Sequence, residues 1–141
     1  SLKDLTADRG GFFGGLLATA NHLLWGDTLW MSRFDPSVEA PNGGIAESTD
    51  LHPTGTSWAA DRFRVDGKIR FWAEGLRALD LKRELVWYSG AAEREITAPL
   101  ETTIIHFFNH QTHHRGQMHA MLTAAGLKAP VSDLFLMPKD V

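Results

Sequence analysis

Cysteine is absent from the chain, which excludes disulfide staples, thiolate metal ligands and a cysteine nucleophile together. Any metal bound here must be held by nitrogen or oxygen. No apolar run approaches the roughly 20 residues needed to span a bilayer, and the opening SLKDLTADRG is too polar for a secretion signal. A cytoplasmic protein without membrane contact is expected. Fourteen Lys and Arg against seventeen Asp and Glu give a net charge of −3, and no basic run offers a footprint for nucleic acid or anionic lipid. Internal repeats and low-complexity tracts are also missing. What remains is 141 residues, 43% hydrophobic and 22% charged, close to the averages of globular chains, so a single domain over 1–141 with one core is expected. The start at Ser1 instead of Met leaves room for a longer chain upstream.

Hydrophobic periodicity places the elements. From about Gly11 to Phe34 charges are few, and Phe12, Leu16, Leu23 and Trp30 recur at helical spacings. This predicts a long helix whose start is blurred by Gly10, Gly11, Gly14 and Gly15. Asp35 to Gly55 has neither period and predicts a loop, long enough to be a cover for a site, a partner contact or simply mobile. Thr56 or Ser57 caps a second helix, whose stripe Trp58, Val65, Ile69, Trp72, Leu76 and Leu79 reads as a buried face. Leu85 to Ile96 carries aromatic and β-branched residues around Ser89-Gly90 and suggests a short hairpin or an irregular connection. A last long helix starts near Pro99 in its first turn and runs to Ala125, with Gly126 as its stop. The tail VSDLFLM is apolar enough to pack back on the body. The fold class is mainly α, a helical bundle.

Five of the seven histidines lie between His106 and His119. At roughly 100° per residue His110 and His114 are about 40° apart and one turn apart, so both imidazoles can converge on one point. A usable site needs a third ligand from another element. His22, midway along the first long helix, is the natural donor, because an unpaired imidazole is costly among apolar neighbours. Its wheel neighbours Gly15, Ala18, Thr19 and Gly26 are small and leave space for an ion, water or substrate. Three neutral imidazoles leave a divalent ion its full charge, which favours catalysis over scaffolding. His106, His113 and Gln117 form a polar flank, suited either to hydrogen bonds behind the ligands or to solvent. His52 and His119 read as surface residues. Arg115 is expected in an ion pair with another helix, with Gly116 permitting close packing. The five tryptophans are assigned to the core in preference to a pocket. Asp27 lies about 140° round the helix from His22, so no carboxylate is available as general base.

The strings HFFNHQTHHRGQMHAMLTAAG and RGGFFGGLLATANHLLWGDTLWMSRF resemble signature segments of the DinB family of damage-inducible bacterial proteins. The intervening loop, SWAADRFR and the closing SDLFLM are similar to family members in order and spacing. The resemblance implies a four-helix bundle with an additional short helix and one divalent metal held by His22, His110 and His114. It also implies a metal-dependent hydrolase or low-molecular-weight-thiol transferase, and a homodimer. The first family helix, rich in aromatics and Asn, has no match in Ser1 to Arg9.

Three functional readings follow. The first is an enzyme whose zinc, nickel or iron centre activates water or a small thiol; nitrogen ligands suit these ions and disfavour magnesium and calcium. In the second the same bundle senses, stores or is stiffened by the ion, its fourth position closed by His106 or a residue of the Asp35 to Gly55 loop. In the third a metal-free interaction domain carries the histidines as polar residues of a groove.

Overall fold

The computed structural model of the protein describes residues 1–136. Four α-helices, α1 (Leu2–Thr6), α2 (Leu16–Phe34), α3 (Gly55–Gly75) and α4 (Leu100–Ala124), accompany a two-stranded sheet of β1 (Glu84–Ser89) and β2 (Arg94–Pro99) inserted between α3 and α4. The fold is mainly α, as the periodicity predicts. α2 is its axis, packing against α1, α3, α4 and β1. Thirteen of its 19 residues are buried, which is why it carries so few charges: a helix covered all round cannot keep one face polar.

The core of lowest exposure joins Met31 and Phe34 of α2, Val38 just beyond it, and Leu100 and Phe107 of α4, with Trp30, Ile69, Trp72 and Leu85 packed on its margin. Phe34 stacks on Trp72 at 5.0 Å and meets Phe107 edge-on at 5.7 Å. The hairpin pairs antiparallel from Glu84 opposite Pro99 to Ser89 opposite Arg94. Its alternation turns Leu85 and Trp87 inward and leaves Val86 and Tyr88 exposed.

Several expectations need correction. α2 begins at Leu16, because Gly10 and Gly14 adopt φ of 69° and 77°, a conformation that no right-handed helix contains. The Gly14 N–H instead bonds the Gly11 carbonyl in a turn. That turn leaves Phe12 80% exposed and directs Phe13 inward. α1, which carries too little apolar pattern to be anticipated, is held by a capping box between Ser1 and Asp4. α3 is capped two or three residues earlier than expected, by the Thr54 hydroxyl accepting from the Ser57 N–H at 3.1 Å, and it ends at Gly75. Of its apolar stripe only Val65 is buried; Trp58, Ile69, Trp72 and Leu76 are half-buried and Leu79, beyond the helix, is 82% exposed. α3 leans on α2 along one edge, and Phe63 and Phe71 on its other side face solvent.

α4 has the predicted extent, with Pro99 as its cap and not in its first turn. Arg115 is exposed and reaches only Thr112 of its own helix at 3.5 Å, and a side chain at Gly116 would meet open space. No ion pair or close helix crossing exists there because that face of α4 has no neighbour among the described residues. Among the tryptophans Trp25 is buried, while Trp30, Trp58, Trp72 and Trp87 are half-buried at the edges of the core. Leu134 to Leu136 form an exposed turn and do not pack back on the body; Met137 lies outside the described residues.

Candidate metal centre

Three helical positions converge between α2 and α4. His22, His110 and His114 each offer a ring nitrogen, and these nitrogens all lie within 4.8 Å of one another. The ring centroids are 4.5 Å apart for His110 and His114, 4.7 Å for His22 and His114, and 5.4 Å for His22 and His110. A tetrahedral ion with bonds of about 2.0–2.1 Å spaces its donors about 3.4 Å apart. The gap to that arrangement is on the order of 1 Å, within reach of small side-chain rotations.

The hydrogen bonds behind the rings decide which nitrogens are free. Ser48 donates its hydroxyl proton to the Ile45 carbonyl at 2.6 Å, so its oxygen can only accept from His22 Nδ1, 2.7 Å away. That places the His22 proton on Nδ1 and leaves Nε2 bare. His114 Nδ1 likewise faces the Gln117 Oε1 at 2.8 Å, an acceptor, while the Gln117 amide nitrogen donates to His113 Nε2 at 3.2 Å. The bare His114 Nε2 then points at His110 Nε2, 3.1 Å away. Without metal one proton must bridge these two nitrogens, and a divalent ion would take the place of that proton. Ser48 and Gln117 fix tautomer and ring orientation in the way partners behind metal-bound imidazoles do. His110 Nδ1 is buried without a partner. The donor set and its proton inventory fit a divalent transition ion.

Of the flank proposed from sequence, Gln117 bonds a candidate ligand directly. His113 acts one step further out, through Gln117. His106 makes no hydrogen bond to the trio; it stands 6.2 Å from His110, ring to ring, and edge-on to Trp30 at 5.1 Å. His119 is exposed. His52 is half-buried, not a free surface residue: its carbonyl accepts from the Asn21 amide at 2.9 Å and its ring meets Asp61 at 3.0 Å. Asn21 also donates to the Thr49 carbonyl at 2.8 Å. The long loop is clamped beside His22 by the bonds of Asn21 and Ser48. Ser48 could not be found from sequence, since its chemistry depends on a loop path with no period. Phe13 is not legible from the sequence either, because the glycine-rich turn that aims it shares the helical spacing of Phe12 and Leu16.

Phe13 lies 4.3 Å from His22 and 5.7 Å from His114, and Trp25 stacks on His22 at 6.2 Å. A cavity of about 500 Å³ lies beyond Phe13, lined also by Asn21, Thr49 and His52; the phenyl ring closes the trio on that side. His110 is the most open of the three, so the free approach is from its side. Among the described residues no carboxylate joins the trio. Asp27 points instead toward α3, where Arg62 Nη1 bonds its Oδ2 at 2.6 Å.

Gly26 is the floor of the site. A Cβ there would sit 2.9 Å from His110 Cε1, too close for a carbon contact, so the ring would have to swing. Gly26→Ala is therefore expected to weaken zinc binding about tenfold or more. The metal-free helix should hold or gain, since alanine is better than glycine by about 0.8–1.0 kcal/mol in a helix interior. Calorimetric zinc titration alongside urea unfolding would separate the two effects.

Burial, and then the neighbouring imidazoles, pull His22 and His110 down to about 4. His114 is lowered by burial, against its bond to Gln117. Burial pushes Asp27 up to about 6, with Arg62 and Gln111 opposing the shift. A lowered imidazole adds stability that is complete above its unfolded value and lost as pH falls toward 4. A raised carboxyl does the reverse, adding stability below its unfolded value that is lost as pH rises through 6. The histidines outnumber the carboxyl, leaving at least about one net proton and a slope near 1.4 kcal/mol per pH unit. Metal-free protein should thus lose about 2–3 kcal/mol between pH 6.5 and 4.5, read from urea midpoints at each pH. A flat profile would contradict the buried, neutral imidazoles.

The model of the DinB family matches residues 1–139, nearly the whole chain. No curated protein matches it.

Proposed function

The chain belongs to the DinB family, and from that premise and the converging imidazoles we propose that it is a metal-dependent enzyme, a hydrolase or low-molecular-weight-thiol transferase. His22, His110 and His114 are its ligands, for one zinc or nickel ion, with iron as the third candidate. The observation that carries the reading is the arrangement of bare nitrogens: Ser48 and Gln117 hold protons on the outer nitrogens of His22 and His114, so the inner ones face a shared point. A divalent ion held there supplies Lewis acidity and lowers the pKa of a water or thiol, the more so because its neutral ligands cancel none of its charge.

The chain's own residues supply position and dryness. Phe13 and Trp25 exclude water from the His22 side, while Ser48 and Gln117 prevent the rings from turning. His113, joined to Gln117, faces outward where a substrate would arrive. Among the described residues no carboxylate joins the trio to serve as general base. Three protein donors leave a tetrahedral ion one position for substrate, and this favours an enzyme over a storage or structural site. Net charge and the absence of a basic run support a small-molecule substrate in preference to nucleic acid. No described helix is long and apolar enough to cross a membrane, in keeping with a cytoplasmic location. The same reading includes a homodimer, supported by the family tendency.

Protein purified without chelator is expected to carry about one equivalent of zinc, nickel or iron. Anomalous scattering at the three absorption edges would identify the element and its ligands together. Less than about a tenth of an equivalent, with none restorable, would remove the proposal. A water or buffer molecule in the fourth position would separate the enzyme from a closed, structural site; a screen of small thiols with ester and amide probes would then address substrate.

A further inference from the structure

Beyond the imidazoles, one stripe of α2 continues away from the site. His22, Gly26, Trp30 and Arg33 follow at spacings of four, four and three, and on the antiparallel α4 His114, His110 and His106 run alongside at spacings of four. The stripe ends in an arrangement with no purpose in the trio. The Arg33 guanidinium lies 4.5 Å over the Trp30 ring and 5.6 Å from that of Trp87, and the two indoles meet edge-on at 5.4 Å. Among the described residues Arg33 pairs with no carboxylate. Arg33 is half-buried and its nitrogens are not among the buried, unpartnered atoms.

Burial lowers the pKa of this guanidinium, a sign that its charge is partly stripped of water. Aromatic faces return some of that loss, and so do the carbonyls at the end of α2, where Arg33 stands. Neither satisfies the planar fork of N–H donors, whose natural complement is a carboxylate accepting two parallel bonds. Arg62, the half-buried arginine of α3, by contrast has its carboxylates in place, Asp27 and Asp66 each at 2.6 Å.

We propose that Arg33, walled by Trp30 and Trp87, is a binding site for a carboxylate on the substrate, with His106 and Trp30 bordering the path from there to the trio. Helical rise puts Arg33 about 10 Å along α2 from Gly26, so the substrate is extended, with its anionic end well removed from its reacting group. This rests on the reading of the trio as a metal site with an open position.

A ladder of thiols tests both ideas separately. The full chain is loaded with cobalt(II), a spectroscopic stand-in for zinc, and titrated with 3-mercaptopropionate, 6-mercaptohexanoate and 8-mercaptooctanoate, and with the amide of each. Binding is followed by the thiolate-to-cobalt absorption band. The longer carboxylates are expected to bind at least about tenfold tighter than their amides, a margin of one charge-assisted bidentate contact, while the shortest shows no preference. Arg33→Met should erase the preference and Arg33→Lys reduce it, with metal content and amide affinity unchanged. A purely structural Arg33 would leave the carboxylate preference untouched or show none at any length, and either result overturns the proposal. If no thiol, charged or neutral, gives a band, the open metal site falls and this proposal with it; a band without carboxylate preference removes Arg33 alone.

Discussion

His114→Ala is expected to lower affinity for zinc or nickel at least about 100-fold. It removes one of three donors and also releases Gln117, whose Oε1 holds the ring. His22→Ala and His110→Ala should act alike, because each removes one of the three ring nitrogens that lie within 4.8 Å of one another. Metal-free stability should move much less, and upward if at all. The trio brings together three imidazoles that prefer charge in water and are held neutral at a cost, so removing one relieves part of that cost. Competition titration with a chromophoric chelator would measure the affinity, and urea unfolding in the presence of that chelator the stability. Affinity retained within a few-fold in all three variants would mean that the histidines serve a groove and not an ion.

Arg62→Met is expected to destabilise the protein by about 3–5 kcal/mol, the usual consequence of removing one partner from a buried ion pair. Asp27 is only 1% exposed, and Arg62 bridges it to Asp66 with bonds of 2.6 Å on each side. Burial already pushes Asp27 up to about 6, and losing the guanidinium moves it higher. The sign follows: the variant takes up a proton on Asp27 at acidic pH, so its deficit is smaller near pH 5 and grows toward pH 8. The double variant Asp27→Leu with Arg62→Met should recover much of the loss, since an apolar pair leaves no charge uncompensated. Urea midpoints for both variants at pH 5 and pH 8 check magnitude and slope together. A pH-independent deficit would indicate lost packing of the arginine stem in place of an orphaned carboxylate.

What could be read from the amino acids alone was whatever depends on local period. α4 and its HxxxH pair follow from spacing, and its stop from the residue type of Gly126, which takes the left-handed φ of 75° just beyond the Ala125 cap. The third donor was legible because an imidazole in so apolar a segment needs a partner. The partners themselves were not: Ser48 and the Asp27–Arg62 pair join residues 26 and 35 positions apart, set by the path of a loop and the tilt of a helix. The extent of burial on α3 was overestimated for a related reason. Helical spacing reveals that one face is apolar, but how much of it is covered depends on which helices stand beside it, and among the described helices α3 packs chiefly on α2.

The candidate ligands sit on the first and last long helices, with most of the polypeptide between them, and this bears on the order of assembly. His110 and His114 are neighbours on one helix and can meet as soon as α4 coils, whereas His22 arrives only when α2 docks, a contact of high sequence separation that forms late. A denatured chain therefore keeps a two-donor grip on metal and lacks the third. Added zinc should raise the melting temperature by less than its affinity for the native protein implies, because part of that affinity is spent on the unfolded ensemble.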